Sequence, residues 1–438
     1  MTDGGIGLSD PAPFEEREMK NLIENRPIRV GVLGAGRGSG LMKSAALNGM
    51  ELTAICDNFK ARLDEVCAET GVPGYLDFDE FIQQDFDAVI IASCFHQHAP
   101  FAKKALRAGK HVLSETSTNA TLREGVELYR IAEESGLCYM LAENYCYTRF
   151  VQEMKRLYEA GEIGAGMYGE AEYNHPMPLR ECFHYCPGGK HHWRSQLPGC
   201  YYITHALAPM MYIMNATPTE VACTLLPAKE SSGKPGYVAL VRLDNGCVVR
   251  IYAGVAGHSC AYALHGQTGA MESVHGHGYF GPETLRVWHE PWELAEGQVQ
   301  EKTYLPPWPS DSELADRTGH GGGDFFVEKA WATAIRTGEP PFMDAYHGIM
   351  CSNVGIMAWK SAHNNGAFMR VPDLHSPADC EEMLEDNWTP FEGVENSRLY
   401  PEEMRWQRVI LPEQYDLARE EWKKLGYTDA EVDEMLKD

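Results

Sequence analysis

Apolar runs alternate with amphipathic helical patterns over residues 27–148, which predicts a parallel sheet wrapped by helices. The apolar runs predicted as strands are Ile28–Leu33, Glu51–Cys56, Ala88–Ala92, His111–Leu113 and Cys138–Ala142. The predicted helices between them are Gly40–Gly49, a short helix opening at Phe78, His98–Ala108 and a helix from Thr121 to Ser135. Strand and helix alternate in the order that is typical of a dinucleotide-binding domain.

Beyond residue 149 the pattern changes to the two-residue alternation of half-buried strands. After a helix at Phe150–Ala160, the predicted strands are Met167–Asn174, Glu220–Leu225, Tyr237–Leu243 and Val248–Ala253. Asp244-Asn245-Gly246 predicts a hairpin turn between the last two strands. Strands without intervening helices indicate a mainly antiparallel sheet, and helices return at Asp324–Thr337 and Ala345–His363.

These patterns predict the fold class α/β, with an N-terminal Rossmann domain followed by an α+β domain that carries a large, mainly antiparallel open sheet. The expected limits are an N-terminal arm over 1–26, the Rossmann domain over 27–148, the substrate and catalytic domain over 149–370, and a C-terminal extension over 371–438. The extension includes an amphipathic helix near Pro412–Lys424. Both arms are expected to pack on the protein's own surface or on a second subunit, so a homo-oligomer is predicted.

Charge and composition narrow the function classes. Lys and Arg total 38 against 63 Asp and Glu, and the net charge of −25 disfavours nucleic acid and anionic membranes as partners. No apolar run approaches the roughly 18 residues of a membrane helix, and residues 1–24 lack the apolar core of a secretory signal. The thirteen cysteines are an odd number and are expected to be reduced thiols. A cytoplasmic protein that acts on a neutral small molecule is therefore expected.

A glycine cluster between the first strand and the first helix is the strongest chemical signal. At this position backbone N–H groups and a helix N-terminus can hold a pyrophosphate, and the residues expected to do so are Gly34, Gly36, Arg37, Gly38 and Ser39. Ser39 occupies the third position of the glycine fingerprint. Asp57 ends the second strand at the offset expected for the acid that binds the adenosine ribose. An aspartate there repels a 2′-phosphate, so the expected cofactor is NAD rather than NADP.

From about Arg29 to Pro372, most of its length, the chain resembles the Gfo/Idh/MocA oxidoreductase family. The resemblance rests on the strand at 88–93, on His98-Ala99-Pro100, on Ala108-Gly109-Lys110-His111-Val112 and on Glu115. It implies a Rossmann domain followed by an open-sheet domain, with the nicotinamide between them. The further cofactor-binding residues that it implies are Ser93, His98, Glu115, Thr116 and Asn144.

Dehydrogenases of that family carry Glu-Lys-Pro after the fifth strand, and the lysine assists removal of the substrate proton. This chain reads Glu115-Thr116-Ser117. The threonine hydroxyl cannot act as a base near neutral pH, which disfavours a simple dehydrogenase.

Later motifs resemble a narrower branch, the NAD-dependent glycosidases similar to bacterial α-N-acetylgalactosaminidase. The motifs, in order along the chain, are Glu143-Asn144-Tyr145-Cys146-Tyr147, Tyr173-Asn174-His175, His192-Trp193-Arg194, Tyr202-Ile203-Thr204-His205 and His320-Gly321-Gly322. The resemblance implies hydrolysis by oxidation at sugar carbon 3, elimination across carbons 2 and 1, water addition and re-reduction. Both anomers are expected as substrates, because the acidic hydrogen is on carbon 2.

Such a scheme needs several proton donors and acceptors. The predicted catalytic residues are Tyr173 and His175, which share a face if they lie in one strand, and Tyr202 and His205, which share a face if they lie in a helix. His205 is expected to deprotonate the carbon-3 hydroxyl, Tyr202 to act at carbon 2, and His175 with Tyr173 to serve the leaving group. The predicted substrate-binding residues are His192, Trp193, Arg194 and His320.

Other interpretations stay open from the residues alone. An isolated tyrosine on a sheet is more often a packing residue, and His184, His191, His275 and His277 are expected to be loop histidines. A metal on Glu172, His175 and His205, or on Cys182, Cys186 and Cys200, fits no familiar ligand spacing, so no metal is expected. The alternative functions are an NAD-dependent sugar dehydrogenase that uses a histidine in place of the lysine, and a non-catalytic NAD-binding regulator.

Overall fold

The computed structural model describes residues 23, 26–175, 177–228, 235–255, 260–274, 284–294, 296–309 and 312–437. The N-terminal arm predicted over 1–26 lies outside the described residues except for Ile23 and Arg26, and His275 and His277 also lie outside them.

The first sheet is entirely parallel, with strand order β3-β2-β1-β4-β5-β6. Its strands are β1 Ile28–Leu33, β2 Met50–Cys56, β3 Gly74–Tyr75, β4 Ala88–Ile91, β5 His111–Ser114 and β6 Tyr139–Leu141. Its helices are α1 Arg37–Leu47, α2 Lys60–Thr70, α3 Phe78–Phe81, α4 His98–Arg107 and α5 Leu122–Ser135. The Rossmann architecture predicted from the alternation of strands and helices is confirmed. The pattern did not predict α2, which has no side-chain N-cap and buries only Leu63 and Val66.

The second sheet is large and mixed, with strand order β14-β13-β12-β11-β7-β10-β9-β8-β15. Its strands are β7 Gly166–Tyr173, β8 Pro218–Ala228, β9 Pro235–Leu243, β10 Val248–Ala253, β11 Cys260–Gly266, β12 Gly269–Ser273, β13 Leu285–His289, β14 Glu301–Tyr304 and β15 Met369–Arg370. Among the described residues, neighbouring strands are antiparallel except β7 and β10, which run parallel. The prediction of a mostly antiparallel open sheet is confirmed.

Helices lie on and around this sheet, and some of them contact the first domain. They are α6 Arg149–Glu159, α7 Leu179–Tyr185, α8 Trp193–Gln196, α9 Thr204–Met214, α10 Ser312–Ala315, α11 Gly323–Thr337 and α12 Ala345–His363. The buried side of α9 lies on β7, and α12 lies along β8. One continuous apolar core joins the two sheets, so residues of α9 and α11 are held close to the carboxyl ends of the parallel strands.

The C-terminal segment packs on the chain itself. Its elements are α13 Pro377–Leu384, β16 Trp388–Thr389, β17 Arg398–Leu399, α14 Tyr415–Lys424 and α15 Asp429–Met435. The amphipathic helix predicted near Pro412–Lys424 is α14, preceded by a turn of 3₁₀ helix at Pro412–Gln414. Trp422 is fully buried against α7 and its Nε1–H donates to the carbonyl of Phe183 over 2.9 Å.

The thirteen cysteines are all free thiols, as predicted. Within the described ranges, no helix combines the length and the apolar character that a membrane crossing requires.

Candidate active site

The turn between β1 and α1 is shaped for a close approach of another molecule. Gly34 has φ +102°, and a Cβ there would clash with the carbonyl of Ala92. At Gly36, the N-cap of α1, an added Cβ would meet open space. This open position above a helix N-terminus is where an anion can contact backbone N–H groups.

The structure corrects two details of this turn. Helix α1 begins at Arg37 and not at Gly40, because Gly36 provides the cap. The close contact between helix and strand falls at Gly38, where a Cβ would clash with Val32, and not at Ser39. Ser39 instead donates its hydroxyl to the carbonyl of Ala35 over 2.7 Å and stabilises the first turn of the helix.

Asp57 lies directly beside the glycine turn. One carboxylate oxygen accepts the N–H of Ala35 over 2.8 Å, and the other accepts the N–H of Phe59 over 2.7 Å. A carboxylate has about four lone-pair sites, so Asp57 can still accept hydrogen bonds from a ribose.

Arg37 joins the two domains through a cluster of acids. Its Nε–H donates to Glu115 over 2.7 Å, and its two terminal nitrogens bind both oxygens of Asp324 at 3.0 Å. Asp324 begins the buried face of α11 and also accepts from Asn144 over 2.9 Å, while His320 Nδ1 lies 3.1 Å from each of its oxygens. Arg37, Glu115, Asp324, Asn144 and His320 are called the arginine cluster below.

Burial alone would raise the pKa of Glu115 and of Asp324, because a charge is less stable away from water. At Glu115 the positive charge and hydrogen bond of Arg37 outweigh burial, and at Asp324 the hydrogen bonds of His320 and of Arg37, with the charge of Arg37, outweigh it. The pKa of each therefore lies below its ordinary value, and both groups are ionised.

His98, expected near the cofactor, has both ring nitrogens against backbone carbonyls. Nδ1 lies 2.8 Å from the oxygen of Ser117 and Nε2 lies 3.1 Å from the oxygen of Ser93. Burial holds its pKa below the ordinary value. His98 therefore connects the segment that follows β4 to the segment that follows β5.

Several buried polar atoms at the carboxyl edge of the parallel sheet have no hydrogen-bond partner among the described residues. They are Ser93 Oγ, Thr116 Oγ1, Asn144 Oδ1 and Glu143 Oε2. Buried polar atoms are nearly always paired in folded proteins, so a group of unpaired ones suggests that a ligand satisfies them. These atoms follow β4, β5 and β6, the edge at which ligands of parallel α/β sheets bind.

His205 and Glu143 form a buried pair at that same edge. Nδ1 of His205, in the first turn of α9, lies 2.8 Å from Oε1 of Glu143, and the Glu143 side chain is fully buried. The carbonyl of His205 accepts the hydroxyl of Tyr262 over 2.6 Å. A carboxylate on Nδ1 favours the tautomer that carries the proton there, which leaves Nε2 as the basic nitrogen.

Aromatic rings surround His205. Ring centroids lie 4.5 Å away for Tyr173, 5.0 Å for Tyr145 and 5.1 Å for Tyr202. Tyr173 and Tyr202 are nearly parallel, with centroids 6.2 Å apart. The predicted catalytic pairs therefore converge, although β7 ends at Tyr173 and Tyr202 ends a 3₁₀ turn before α9. Glu143, Tyr145, Tyr173, Tyr202 and His205 are called the tyrosine cluster below.

His175 lies at the exposed margin of the tyrosine cluster, with its ring centroid 6.1 Å from that of Tyr173. The surrounding protein removes water from the His175 ring, which disfavours its charged form, and the charges of His205 and Arg194 act in the same direction. Together they lower the pKa of His175 to about 4. His175 is therefore neutral at physiological pH.

The predicted substrate-binding motif lies on the other side of Tyr202. His192 is the N-cap of α8, where its Nδ1 accepts the N–H of Arg194 over 3.3 Å. The Arg194 guanidinium lies 4.3 Å from the ring centroid of Trp193, and the nearby Tyr202 side chain interacts favourably with its charge. Phe95 stacks on both Trp193 and Tyr202.

The structure thus separates the predicted residues into an assembled set and a supporting set. The assembled set consists of six residues that lie close together: Tyr173, His175, Tyr202, His205, Trp193 and Arg194. In the supporting set, His320 is bound to Asp324 and His192 caps a helix. Three further site residues were not predicted from the sequence: Glu143, Tyr145 and Asp324. Glu143 and Tyr145 lie in a motif that could have identified them, whereas no local pattern indicates Asp324.

No group of three or more His, Cys, Asp or Glu side chains that could hold a metal ion occurs in the described part of the chain. Glu172, considered above as a ligand, accepts instead from the amide of Asn174 over 3.1 Å.

Two family models match the chain. Residues 28–143 match the model described as oxidoreductase family, NAD-binding Rossmann fold, and residues 255–378 match the model described as glycosyl hydrolase 109, C-terminal domain. Of the tyrosine cluster, Glu143 is the last residue of the first matched range, and the other members follow that range. Asp324 and His320 lie within the second matched range.

Curated relatives carry the same family name. A glycosyl hydrolase family 109 protein of Shewanella sp. strain MR-4 is 26% identical over 415 residues, covering 83% of this chain and 89% of the relative. A second, from Saccharopolyspora erythraea, is 25% identical over 442 residues, covering 90% of this chain and 92% of the relative.

Solved structures share the fold. Levoglucosan dehydrogenase in complex with NADH superposes with a TM-score of 0.67 at 20% identity, covering 80% of this chain and 100% of that one. An oxidoreductase from Agrobacterium radiobacter in complex with NAD⁺, L-tartaric acid and magnesium gives 0.64 at 17% identity, covering 78% and 98%.

Proposed function

Because the chain carries the NAD-binding domain of the Gfo/Idh/MocA oxidoreductases and the C-terminal domain of glycosyl hydrolase family 109, we propose that it is an NAD-dependent glycoside hydrolase. The reaction proposed is oxidation at carbon 3 of a sugar ring, elimination of the aglycone, addition of water and reduction of carbon 3. The substrate proposed is a neutral glycoside, of either anomeric configuration.

NAD is the cofactor, and the residues present fit it. The open position above Gly36 suits the pyrophosphate, and Asp57 suits the adenosine ribose. The unpaired atoms of Ser93, Thr116 and Asn144 are placed to meet polar groups at the nicotinamide end. When bound, NAD supplies a hydride acceptor that becomes a hydride donor for the last step.

His205 is the proposed base for the carbon-3 hydroxyl. As the hydride leaves carbon 3, the hydroxyl proton moves to Nε2 of His205, and Glu143 stabilises the imidazolium that results. This pair supplies the function that Thr116 cannot supply at the lysine position of the dehydrogenases.

Tyr202 is the proposed base at carbon 2. Oxidation at carbon 3 acidifies the carbon-2 hydrogen, and the positive charge of nearby Arg194 favours the phenolate that must accept it. The electron pair from the carbon–hydrogen bond forms the carbon 1–carbon 2 double bond and expels the aglycone oxygen.

Tyr173 and His175 are the proposed groups at carbon 1. Tyr173, in the interior of the cluster, donates a proton to the departing oxygen, and neutral His175, at the exposed margin, accepts a proton from the incoming water. This division refines the expectation that both residues serve the leaving group, because a histidine with a pKa of about 4 is a poor proton donor at neutral pH.

The observation that carries the proposal is the Glu143–His205 pair with the rings of Tyr173 and Tyr202 beside it. A base and two phenols in one place provide more acid–base groups than a single hydride transfer needs.

Aryl glycosides of both anomers test the proposal. Purified protein with NAD should release the phenol from α and β substrates while reduced cofactor does not accumulate. Tyr202→Phe should slow exchange of the carbon-2 hydrogen with deuterated solvent by about 10²-fold or more, the usual contribution of a general base. Unchanged exchange would remove Tyr202 from that role, and strict activity on one anomer would contradict the elimination route.

A sugar dehydrogenase is the second candidate, because the Glu143–His205 pair alone suffices to deprotonate an alcohol. In that case reduced cofactor accumulates in stoichiometric amount while the glycosidic bond stays intact. The cytoplasmic location and the homo-oligomer stay predictions from the sequence.

A further inference from the structure

The adenosine end of the cofactor site carries an exposed aromatic ring. Phe59 follows Asp57 by two residues, and its N–H is held by the Asp57 carboxylate over 2.7 Å. Its side chain is 43% exposed, although it is large and apolar. Because Asp57 is the proposed ribose ligand, Phe59 lies next to the position of the adenine.

A second aromatic ring reaches this position from the far end of the sequence. Tyr427, in the connection between α14 and α15, lies parallel to Phe59 within 12°, with ring centroids 6.3 Å apart. Parallel rings at this separation are stacked with an offset, so the two side chains form one aromatic surface. The C-terminal segment therefore meets the Rossmann domain beside the ribose-binding acid.

Tyr427 is held in place by the packing of its own segment. Its N–H donates to the carbonyl of Trp422 over 3.2 Å, and Trp422 is buried against Phe183 of α7. Arg180 of α7 pairs with Glu420 and Glu421 of α14. These contacts anchor the tyrosine through residues outside the Rossmann domain.

Electrostatics gives an independent reason for an apolar contact here. The chain has a net charge of −25, and Arg37, the cation of the glycine turn, is already bound to Glu115 and Asp324. Attraction for the pyrophosphate is therefore limited, and stacking on the base adds binding that does not depend on charge.

We propose that Phe59 and Tyr427 form an aromatic wall against which the adenine of NAD stacks, so that the C-terminal segment completes the cofactor site. The wall holds the cofactor by its adenosine half while the nicotinamide half reacts. It rests on NAD as the cofactor and does not depend on the glycosidase reaction.

Release of NADH from the full-length protein tests the wall directly. Tyr427→Leu should accelerate NADH dissociation, measured by fluorescence after displacement with excess NAD, by about tenfold, within the range for base stacking on an aromatic side chain. Competition by ADP-ribose should weaken by a similar factor. Competition by nicotinamide mononucleotide, which lacks the adenine, should not change.

Phe59→Leu, on the opposite side of the contact, should reproduce this pattern and provides the test if Tyr427→Leu does not fold. Val409→Ala changes a residue of the same C-terminal segment that is 60% exposed, and should leave all three ligands unaffected. Equal weakening of the mononucleotide and NADH, or no change for either, would overturn the proposal.

Discussion

The arginine cluster and the tyrosine cluster both contain acidic side chains, and they differ in how fully the charges of those acids are paired. In the arginine cluster, three nitrogens of Arg37 contact three oxygens of Glu115 and Asp324 at 2.7–3.0 Å. In the tyrosine cluster, Glu143 has one oxygen on His205 and the other without a partner among the described residues.

This difference distinguishes a structural charge network from a reactive one. A fixed guanidinium keeps Glu115 and Asp324 ionised at all physiological pH values, so the arginine cluster holds the glycine turn against α11 without exchanging protons. A histidine partner can gain or lose a proton, so the tyrosine cluster can change its charge during a reaction. The comparison predicts that substitutions in the first cluster affect stability and those in the second affect activity.

The largest effect is expected for Glu143→Gln. The amide keeps the size of the side chain and a hydrogen bond to Nδ1 but removes the charge that stabilises the imidazolium. We expect kcat to fall by about 10⁴-fold, as for the same change at the acid of a catalytic triad, with a change in unfolding free energy below about 1 kcal/mol.

The matched control is Glu153→Gln. Glu153 is also buried, but it binds Arg156 and Tyr304 away from the tyrosine cluster. Its substitution should leave kcat unchanged. A kcat loss in Glu143→Gln that matches a loss of thermal stability would assign Glu143 to the fold rather than to the reaction.

Arg37→Met is expected to have the next largest effect, on stability. Removing the guanidinium leaves Glu115 without its cation, whereas Asp324 keeps its hydrogen bonds to Asn144 and His320, and we expect a cost of about 3 kcal/mol. Burial then raises the pKa of Glu115 above its ordinary value, so the destabilisation is present at neutral pH and decreases as pH falls and this carboxyl becomes protonated.

Chemical denaturation at about pH 5 and about pH 8 measures this dependence. Arg37→Met should be less impaired at the lower pH. A destabilisation that is equal at both values would show that Arg37 acts by packing rather than by charge.

A smaller effect is expected from two neighbouring hydroxyls after β5. Ser117 Oγ donates to Ser352 over 3.0 Å, whereas Thr116 Oγ1 has no partner among the described residues. Ser117→Ala should therefore lower the unfolding free energy by about 1 kcal/mol, and Thr116→Val should leave it unchanged or raise it.

If the Thr116 hydroxyl contacts ligand, Thr116→Val should weaken NAD or substrate binding about tenfold, as expected for a lost hydrogen bond. Equal stability losses in both variants would contradict the comparison.

The smallest effect concerns pH. With a pKa of about 4, His175 is neutral above that value and becomes protonated as pH falls through it. Protonation of His175 should therefore produce an acid limb near pH 4, below the range in which an unperturbed histidine titrates. His175→Gln should remove this limb from the profile of kcat, provided that the protein stays folded over the range.

The sequence predicted the regions whose structure is determined by local patterns. Five of the six strands of the Rossmann sheet, the glycine turn and Asp57 follow from periodicity and spacing that span a few residues, whereas the two-residue strand β3 was not predicted. The third fingerprint position was assigned to Ser39 by spacing, whereas Gly38 makes the close contact because α1 begins three residues earlier than expected.

The tyrosine cluster could be predicted only in part. Tyr173, Tyr202 and His205 were identified through motifs, but their convergence on Glu143 depends on how α9 packs against the end of β6. Asp324 and Tyr427 are separated from their partners Arg37 and Phe59 by most of the chain. No local pattern encodes such contacts, because they arise from packing between elements that are far apart in the sequence.

A glycoside that carries deuterium at carbon 3 shows whether the hydride removed from the sugar is returned to it. We expect the released sugar to retain the deuterium at carbon 3, to gain a solvent-derived hydrogen at carbon 2, and to form without accumulation of reduced cofactor. Transfer of the deuterium to free reduced cofactor with the glycosidic bond intact, or cleavage with no exchange at carbon 2, would contradict it.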